Sequence, residues 1–132
     1  MITRTVKTNA RREMIDVTEL ARAAVREADL GDGLIVVYVP HTTAGVTINE
    51  NADPDVVKDL LMQLALLAPP DGDYRHAEGN SDAHLKSSLF GCTQQILIEG
   101  GRLVLGTWQG VYFCEFDGPR TRKLVVRVAR FA

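Results

Sequence analysis

Hydrophobic and polar positions follow two different periods along the chain, and the changes of period predict the order of its elements. Residues 2–17 predict two short strands separated by the polar segment 9–11. The sequence Asp16-Val-Thr-Glu19 then has the form of a capping box, which predicts the start of a first helix. That helix is expected to end before Gly31. Its apolar positions recur at helical spacing, at Ala21, Ala24, Val25 and Ala28.

The next segments predict two more strands and a second helix. Residues 34–39 form a continuous apolar run, which predicts a strand covered on both faces, and residues 44–48 predict another strand. Asp53-Pro54 predicts a helix start by its cap and first-turn proline, and Pro69-Pro70 ends that helix. Its predicted apolar stripe comprises Val56, Val57, Leu60, Leu61, Leu64 and Leu67.

Strand patterns dominate the second half of the chain. Residues 71–81 are polar and predict a loop, and residues 82–89 predict a short third helix closed by Gly91. Glycine-rich turns then separate four β-type runs, which favours antiparallel hairpins, at residues 94–98, 103–109, 111–116 and 122–131. The predicted fold class is therefore α+β, with a mostly antiparallel β-sandwich-like core, two main helices and a short third helix. One domain is expected to span residues 1–132.

Composition narrows the class of protein. Hydrophobic residues make up 45% of the 132 and charged residues 24%, which is typical of a globular chain. The net charge of −2 argues against nucleic acid and against membrane surfaces as partners. The sequence shows neither a secretory signal nor a membrane span. Cys92 and Cys114 have no framework spacing, and Cys114 is expected to be a buried thiol, so we expect a cytoplasmic protein.

The three histidines are the strongest candidates for chemistry. His41, His76 and His84 all lie in polar segments outside apolar helical faces. Three neutral imidazoles with an open fourth position form a familiar catalytic zinc arrangement. The spacing contains no HExxH or CxxC motif, however. Ordinary loop roles for each histidine therefore stay open beside a shared metal site.

Several residues near the histidines suit an anion such as phosphate. Thr42 and Thr43 follow His41, whereas Lys86 and Ser88 follow His84 on the predicted short helix. Arg120 follows a Gly-Pro turn, and its planar fork suits phosphate oxygens. Taken singly, each is equally well a surface hydroxyl or a solvated cation. Their density around the histidines favours a phosphate site.

Carboxylates and one indole complete the candidate set. Glu50 and Asp82 rank first as a general base or as magnesium ligands because they lie near the histidine segments. Trp108 and Gln109 are candidates for a wall against a bound ring, with core packing or an oligomer contact as the alternative for the indole. Two further carboxylates are weaker candidates, Glu115 and Asp117.

Four motifs occur in one order along the last two thirds of the chain. They are residues 41–55 beginning His-Thr-Thr-Ala-Gly, His76-x-x-Gly79-Asn80-x-x-Ala83-His84-x-x-x-Ser88-x-x-Gly91, Gly106-Thr-Trp-Gln109, and Glu115-Phe-Asp-Gly-Pro-Arg120. In this combination the chain resembles the YjbQ-like family, sometimes labelled secondary thiamine-phosphate synthases. The resemblance implies a single YjbQ-like domain that assembles as a homotrimer.

The resemblance also implies a site. It brings His41, His76 and His84 together in one cleft that holds a metal or an anion, with zinc ahead of magnesium. It adds Asn80 to the substrate contacts, because Asn80 lies within a matched motif. It further implies a transferase that joins a phosphorylated pyrimidine to a phosphorylated thiazole, as a main or a side activity.

Three hypotheses for the function follow. The first is a metal-assisted enzyme acting on a small phosphorylated substrate, with the three histidines as ligands or acid–base groups and Glu50 as a base. The second is a non-catalytic homo-oligomer that binds a phosphorylated metabolite, or regulates in response to it, in the same cleft. The third is an assembly scaffold in which the histidines are ordinary loop residues.

Overall fold

The chain alternates strands and helices in its first half and is mainly strand in its second. The computed structural model describes residues 1–131, which form three helices and eight strands. In chain order they are β1 (Ile2–Lys7), β2 (Glu13–Asp16), α1 (Thr18–Ala28), β3 (Gly33–Tyr38), β4 (Ala44–Glu50), α2 (Pro54–Leu67), α3 (Ser81–Phe90), β5 (Thr93–Glu99), β6 (Arg102–Leu103), β7 (Gln109–Glu115) and β8 (Thr121–Arg130).

The strands form two antiparallel sheets. A five-stranded sheet has the order β1-β8-β3-β5-β6, and a three-stranded sheet has the order β2-β7-β4. Neighbouring strands pair antiparallel throughout both sheets within the described residues. This architecture confirms the predicted α+β class with its antiparallel, sandwich-like core.

Strand β7 buries both of its faces and so organises the layers. Val111 and Phe113 face the main core, which lies between the two sheets and the apolar face of α1. Cys114 and Phe116, at the end of the strand and just beyond it, pack on the other side with Leu64 of α2 and Ala83 of α3. The continuous apolar run in β7 follows from this position between two layers. The predicted burial of the Cys114 thiol is confirmed, and burial raises the pKa of that thiol.

The predicted helix starts differ in outcome. Asp53 caps α2 as predicted, because its Oδ1 accepts a hydrogen bond of 2.9 Å from the backbone N–H of Asp55. The predicted capping box of α1 does not form. Asp16 instead accepts from the backbone N–H of Thr18, where the helix begins, in a local turn. The helix ends at Ala28, and the next residue, Asp29, caps it in the left-handed conformation with φ 47°.

Two predictions overestimated a strand, one in its length and the other in its burial. Of the predicted strand 103–109, only Leu103 belongs to β6 and Gln109 to β7. Between them, Gly106 and Gln109 close a turn through a backbone and a side-chain hydrogen bond. The strand at 34–39 is fully covered on one face only, because Tyr38 on its other face is 42% exposed.

Helix α2 departs most from prediction. Of its predicted apolar stripe only Leu64 is buried, and Leu67 is 67% exposed. The helix therefore presents apolar side chains at the surface of the single chain. Among residues 1–131 no helix combines the length and the apolar character needed to cross a membrane.

Candidate functional site

A polar pocket of about 570 Å³ lies where the ends of several strands meet the start of α3. The β3–β4 loop, the segment before α3 and the β7–β8 turn form its walls. Its lining residues come from distant parts of the sequence: Tyr38, Pro40, His41, Thr42, Thr43, Glu78, Asn80, His84, Asp117, Arg120 and Arg122. The antiparallel topology brings these segments to one edge of the molecule.

A buried ion pair forms the base of this pocket. The guanidinium of Arg122 donates to both carboxylate oxygens of Glu115, at 2.8 and 2.5 Å. It also donates to the Thr43 carbonyl and hydroxyl oxygens, at 3.2 and 2.9 Å. Burial by itself would raise the pKa of Glu115, but hydrogen bonds from Arg122, the Asp117 amide and Thr8 outweigh it and hold that pKa below its usual value. The pair fixes the β3–β4 loop against β8.

Asp117 holds the opposite wall together. Its Oδ2 accepts from Arg120 at 2.7 Å and from the Asn80 side-chain amide at 2.9 Å. The Arg120 Nε also donates to the Asp117 carbonyl oxygen at 2.8 Å, and the Arg120 side chain remains 50% exposed. The Asn80 Oδ1 is buried and has no hydrogen-bond partner within the described chain. The wall therefore offers guanidinium donors, and the Asn80 side chain holds one unsatisfied acceptor beneath its surface.

The ring of His41 is oriented by the backbone of β8. Its Nε2 accepts a hydrogen bond of 2.9 Å from the backbone N–H of Lys123. In the neutral ring this assigns the proton to Nδ1, which is left as a donor. Burial and the nearby Arg122 lower the pKa of His41 below its ordinary value. His41 therefore serves as a neutral hydrogen-bond donor near pH 7.

The other two histidines contact each other at the pocket's margin. The rings of His76 and His84 lie edge to face, with centroids 5.3 Å apart. His84 lines the polar pocket and also a second, apolar pocket of about 400 Å³, which it shares with His76. The three predicted histidines thus border two adjoining pockets.

The single chain does not supply the three-histidine metal centre. Among residues 1–131 no group of three or more histidine, cysteine, aspartate or glutamate side chains has the geometry to hold a metal ion. A metal-bound histidine normally donates its second ring N–H to an acceptor, whereas the Nε2 of His41 accepts from an amide. The residues therefore do not fit a site through His41, and the zinc or magnesium ion stays a prediction from resemblance.

Two other predicted residues form an internal ion pair instead. The Lys86 side chain is 1% exposed, and its Nζ donates to the fully buried Asp82 at 2.7 Å. Burial would raise the pKa of Asp82, but hydrogen bonds from Lys86 and Arg12 outweigh it and lower that pKa. In the single chain, Lys86 is therefore removed from any phosphate, and Asp82 is an ion-pair partner instead of a free base.

The remaining predicted residues lie outside the lining of the polar pocket. Glu50 pairs with Gln109 in the ladder between β4 and β7. Trp108 lies in the turn just before Gln109, and its side chain is 62% exposed. Ser88 lies exposed on α3. The structure thus brings Thr42, Thr43, Asn80, Asp117 and Arg120 together with His41 and His84 in the lining, and places the other candidates outside it.

Sequence reasoning missed the importance of Arg122. A signal for it exists, because Arg122, Leu124 and Val126 alternate along β8 and all three are buried. A charged residue on the inward face of a strand requires an inward-facing partner. Glu115, placed among the weaker base candidates, is that partner.

Fold and pocket together define a small α+β protein with a histidine-bearing polar cleft at the ends of two antiparallel sheets. The family model described as UPF0047 protein YjbQ-like matches residues 2–130, and the chain belongs to this family. A UPF0047 protein of Methanocaldococcus jannaschii, MJ1081, is 54% identical over 93% of this chain and 89% of its own length. YugU of Bacillus subtilis is 52% identical over 93% and 94% of the two chains.

A solved structure shows the same fold. A YjbQ/UPF0047 protein from Clostridium acetobutylicum, described as an uncharacterized conserved protein, superimposes with a TM-score of 0.97 at 56% identity. The match covers 98% of this chain and 100% of the other. The family resemblance read from the motifs is therefore confirmed.

The activity read from that resemblance is wrong. The relatives carry only the description UPF0047 protein, which indicates neither a thiamine-phosphate synthase nor a metal-assisted enzyme. Three of the four motifs contribute residues to the walls of the pocket. A family label does not specify the chemistry performed there.

Replacing Glu115 by glutamine should lower the free energy of unfolding by about 3–5 kcal/mol, because it leaves the buried Arg122 without its counter-charge. The lowered pKa of Glu115 means that its contribution is present above the ordinary value of 4.5 and is lost as the pH falls through the folded-state pKa. Denaturant unfolding at several pH values measures both effects.

Glu27→Gln is the matched control, because it breaks an exposed Arg–Glu pair with side chains 40% and 53% exposed. Its cost should stay below about 1 kcal/mol. Equal costs for the two variants would contradict the role of the buried pair.

The state of His41 is directly measurable. Long-range ¹H–¹⁵N spectra of the imidazole should show the Nδ1–H form, and the ring should titrate below 6.5, the ordinary value. The control is the same ring in the urea-unfolded chain, which should titrate at about 6.5. An Nε2–H ring in the folded chain would disprove the hydrogen bond to Lys123.

Proposed function

We propose that the polar pocket binds a small organic molecule that carries both an oxyanion and a hydroxyl or amino group. The observation that supports this most directly is the buried Asn80 Oδ1 without a partner, on the same wall as the half-exposed Arg120 guanidinium. One group requires a donor and the other an acceptor. A ligand bearing both chemistries satisfies the two at once when a small rotation of the Asn80 side chain brings its Oδ1 to the pocket surface.

The oxyanion is assigned to the donors of the pocket. Arg120 commits its Nε and one terminal nitrogen to Asp117, which holds the guanidinium in place and leaves Nη1 for a ligand. The Nδ1–H of His41 and the exposed Thr42 hydroxyl are further donors among the lining residues. Hydrogen bonds from a guanidinium to a carboxylate or phosphate are among the stronger ones in proteins.

The second group is assigned to Asn80. Rotating its amide by 180° would place the carbonyl oxygen against the Asp117 carboxylate, so the observed orientation is the favourable one. A buried acceptor without a partner costs about 1–3 kcal/mol, which a ligand donor recovers. Glu78 also lines the pocket and repels a ligand that is purely anionic. Charge and hydrogen bonding therefore both favour a mixed ligand over a bare anion.

If the bound molecule is transformed, we propose that His84 acts as the acid–base group. The Nε2 of His41 already accepts a hydrogen bond from the Lys123 amide, which makes that ring a weak proton acceptor. His84 lines the pocket, and its ring has no hydrogen-bond partner among residues 1–131. This assignment needs no metal.

Lactate and propionate test the binding proposal, because they differ by one hydroxyl. Chemical-shift titration of the full chain should give lactate about 3- to 10-fold tighter binding, the increment of one added hydrogen bond. Arg120→Gln should weaken both acids by at least about tenfold, because a charge-assisted bond is lost. Arg127→Gln, an exposed arginine outside the pocket lining, should leave both unchanged. Equal affinities for the two acids would eliminate the role given to Asn80, and absence of binding would eliminate the proposal.

We also propose that the chain assembles through α2 and α3, with the homotrimer of the resemblance as the expected state. Both helices carry exposed apolar side chains, which water disfavours as a contiguous surface. They are Met62, Leu66 and Leu67 on α2, and Leu85 and Leu89 on α3. The cytoplasmic location stays a prediction from the two free cysteines.

Light scattering during size-exclusion chromatography measures that assembly. The natural chain should elute as a trimer, and the double change Leu66→Ser with Leu67→Ser should shift it towards the monomer. The matched control is Leu97→Ser, which changes a leucine 53% exposed on β5. A monomeric natural chain at micromolar concentration would contradict the assembly.

A further inference from the structure

A third pocket, the arginine pocket, lies between α1 and the β5–β6 turn and is lined by three arginines. Its volume is about 330 Å³, and it shares no lining residue with the polar pocket. The lining comprises Arg22, Val25, Arg26, Gly101, Arg102 and Leu103. No carboxylate belongs to this lining, which distinguishes it from the polar pocket.

The fold brings the three guanidinium-bearing residues together. Arg22 and Arg26 lie four residues apart on α1, so they share one face of the helix. Arg102 lies across the pocket from α1. It directly follows Gly100 and Gly101, whose positive φ values of 55° and 75° allow a tight turn. The backbone N–H of Gly101 donates to the Gly31 carbonyl at 2.7 Å, which ties this turn to the segment after α1. Helix and turn are thus held at a fixed separation.

The arginines of this pocket are only partly neutralised. Glu19 lies 2.7 Å from Arg26 and 4.0 Å from Arg22, so one carboxylate serves two guanidiniums. Arg102 has neither an ion pair nor a side-chain hydrogen bond within residues 1–131. Its partner in the strand register, Glu99, lines a different groove. Arg22 also helps to lower the pKa of Asp16, but Asp16 lies outside the pocket lining and accepts hydrogen bonds from Thr18 and Asn51. Within the lining itself no carboxylate opposes the three guanidiniums, so the pocket is positively charged.

We infer that this pocket is a binding site for a doubly charged oxyanion, such as the terminal phosphate of a small molecule. A lining with three guanidiniums and no carboxylate favours a dianion over a monoanion, and guanidinium forks match the tetrahedral oxygens. The aliphatic side chains of Val25 and Leu103 offer the rest of the ligand an apolar surface. The pocket volume is at the small end of the range for small-molecule sites.

Inorganic phosphate is the probe, with nitrate as a singly charged comparison at equal ionic strength. Backbone ¹H–¹⁵N spectra of the full chain at pH 7.5 should show saturable shifts at Gly101 and Arg102 with phosphate. Nitrate should bind there at least about tenfold more weakly, and added sodium chloride should weaken phosphate binding. The residues that shift separate this pocket from any binding at His41 and Asn80.

Two arginine variants test whether phosphate binds in this pocket. Arg102→Gln should weaken phosphate at this pocket by at least about tenfold, because it removes the unpaired guanidinium. Arg127→Gln, an exposed arginine on β8, is the matched control and should change nothing here. Linear shifts without saturation, equal response to nitrate, or unchanged affinity in Arg102→Gln would each overturn the inference. None of these outcomes depends on the polar pocket, so the two proposals fail separately.

Discussion

The buried pair of Glu115 and Arg122 is the interaction on which the site depends. The two residues belong to different sheets, since β7 lies in the three-stranded sheet and β8 in the five-stranded one. Removing both charges from water is costly, and the cost is offset because hydrogen bonds surround the pair, from Thr8, from the Asp117 amide and to Thr43. The same hydrogen bonds fix the start of the loop between β1 and β2, the β3–β4 loop and the β7–β8 turn. A single ion pair thus joins the sheets and shapes the pocket.

Local sequence patterns predicted most of the individual helices and strands because caps, turns and periodicity are local, whereas most strand pairings join segments far apart in sequence. The cap at Asp53 and the β5–β6 hairpin rest on contacts between near neighbours in sequence. The other predicted hairpins of the second half are wrong, because β6 and β8 lie in a different sheet from β7. The prediction failed where a distant or competing contact decides. The segment around Gly106 forms a turn in place of a strand because Gln109 satisfies its amide. Periodicity found the apolar face of α2, but it does not reveal what covers that face.

The candidate site was predictable in part for the same reason. His41 follows β3 and Arg120 precedes β8, and in an antiparallel pair the end of one strand lies beside the start of its neighbour. Lys86 was predicted as a ligand contact, whereas the single chain buries it in an ion pair with Asp82, because a surface cation and a buried one look alike in composition. The distinguishing feature was its position four residues after Asp82, where a helical ion pair forms. The arginine pocket was invisible for another reason, because Arg22 and Arg102 are eighty residues apart.

Asp117 gives the pocket a mechanical property as well as a chemical one. One oxygen of its carboxylate contacts both Arg120 and Asn80, and Asn80 immediately precedes the helix that bears His84. The position of the guanidinium and the position of the first residue of α3 are therefore set together, through one shared carboxylate oxygen.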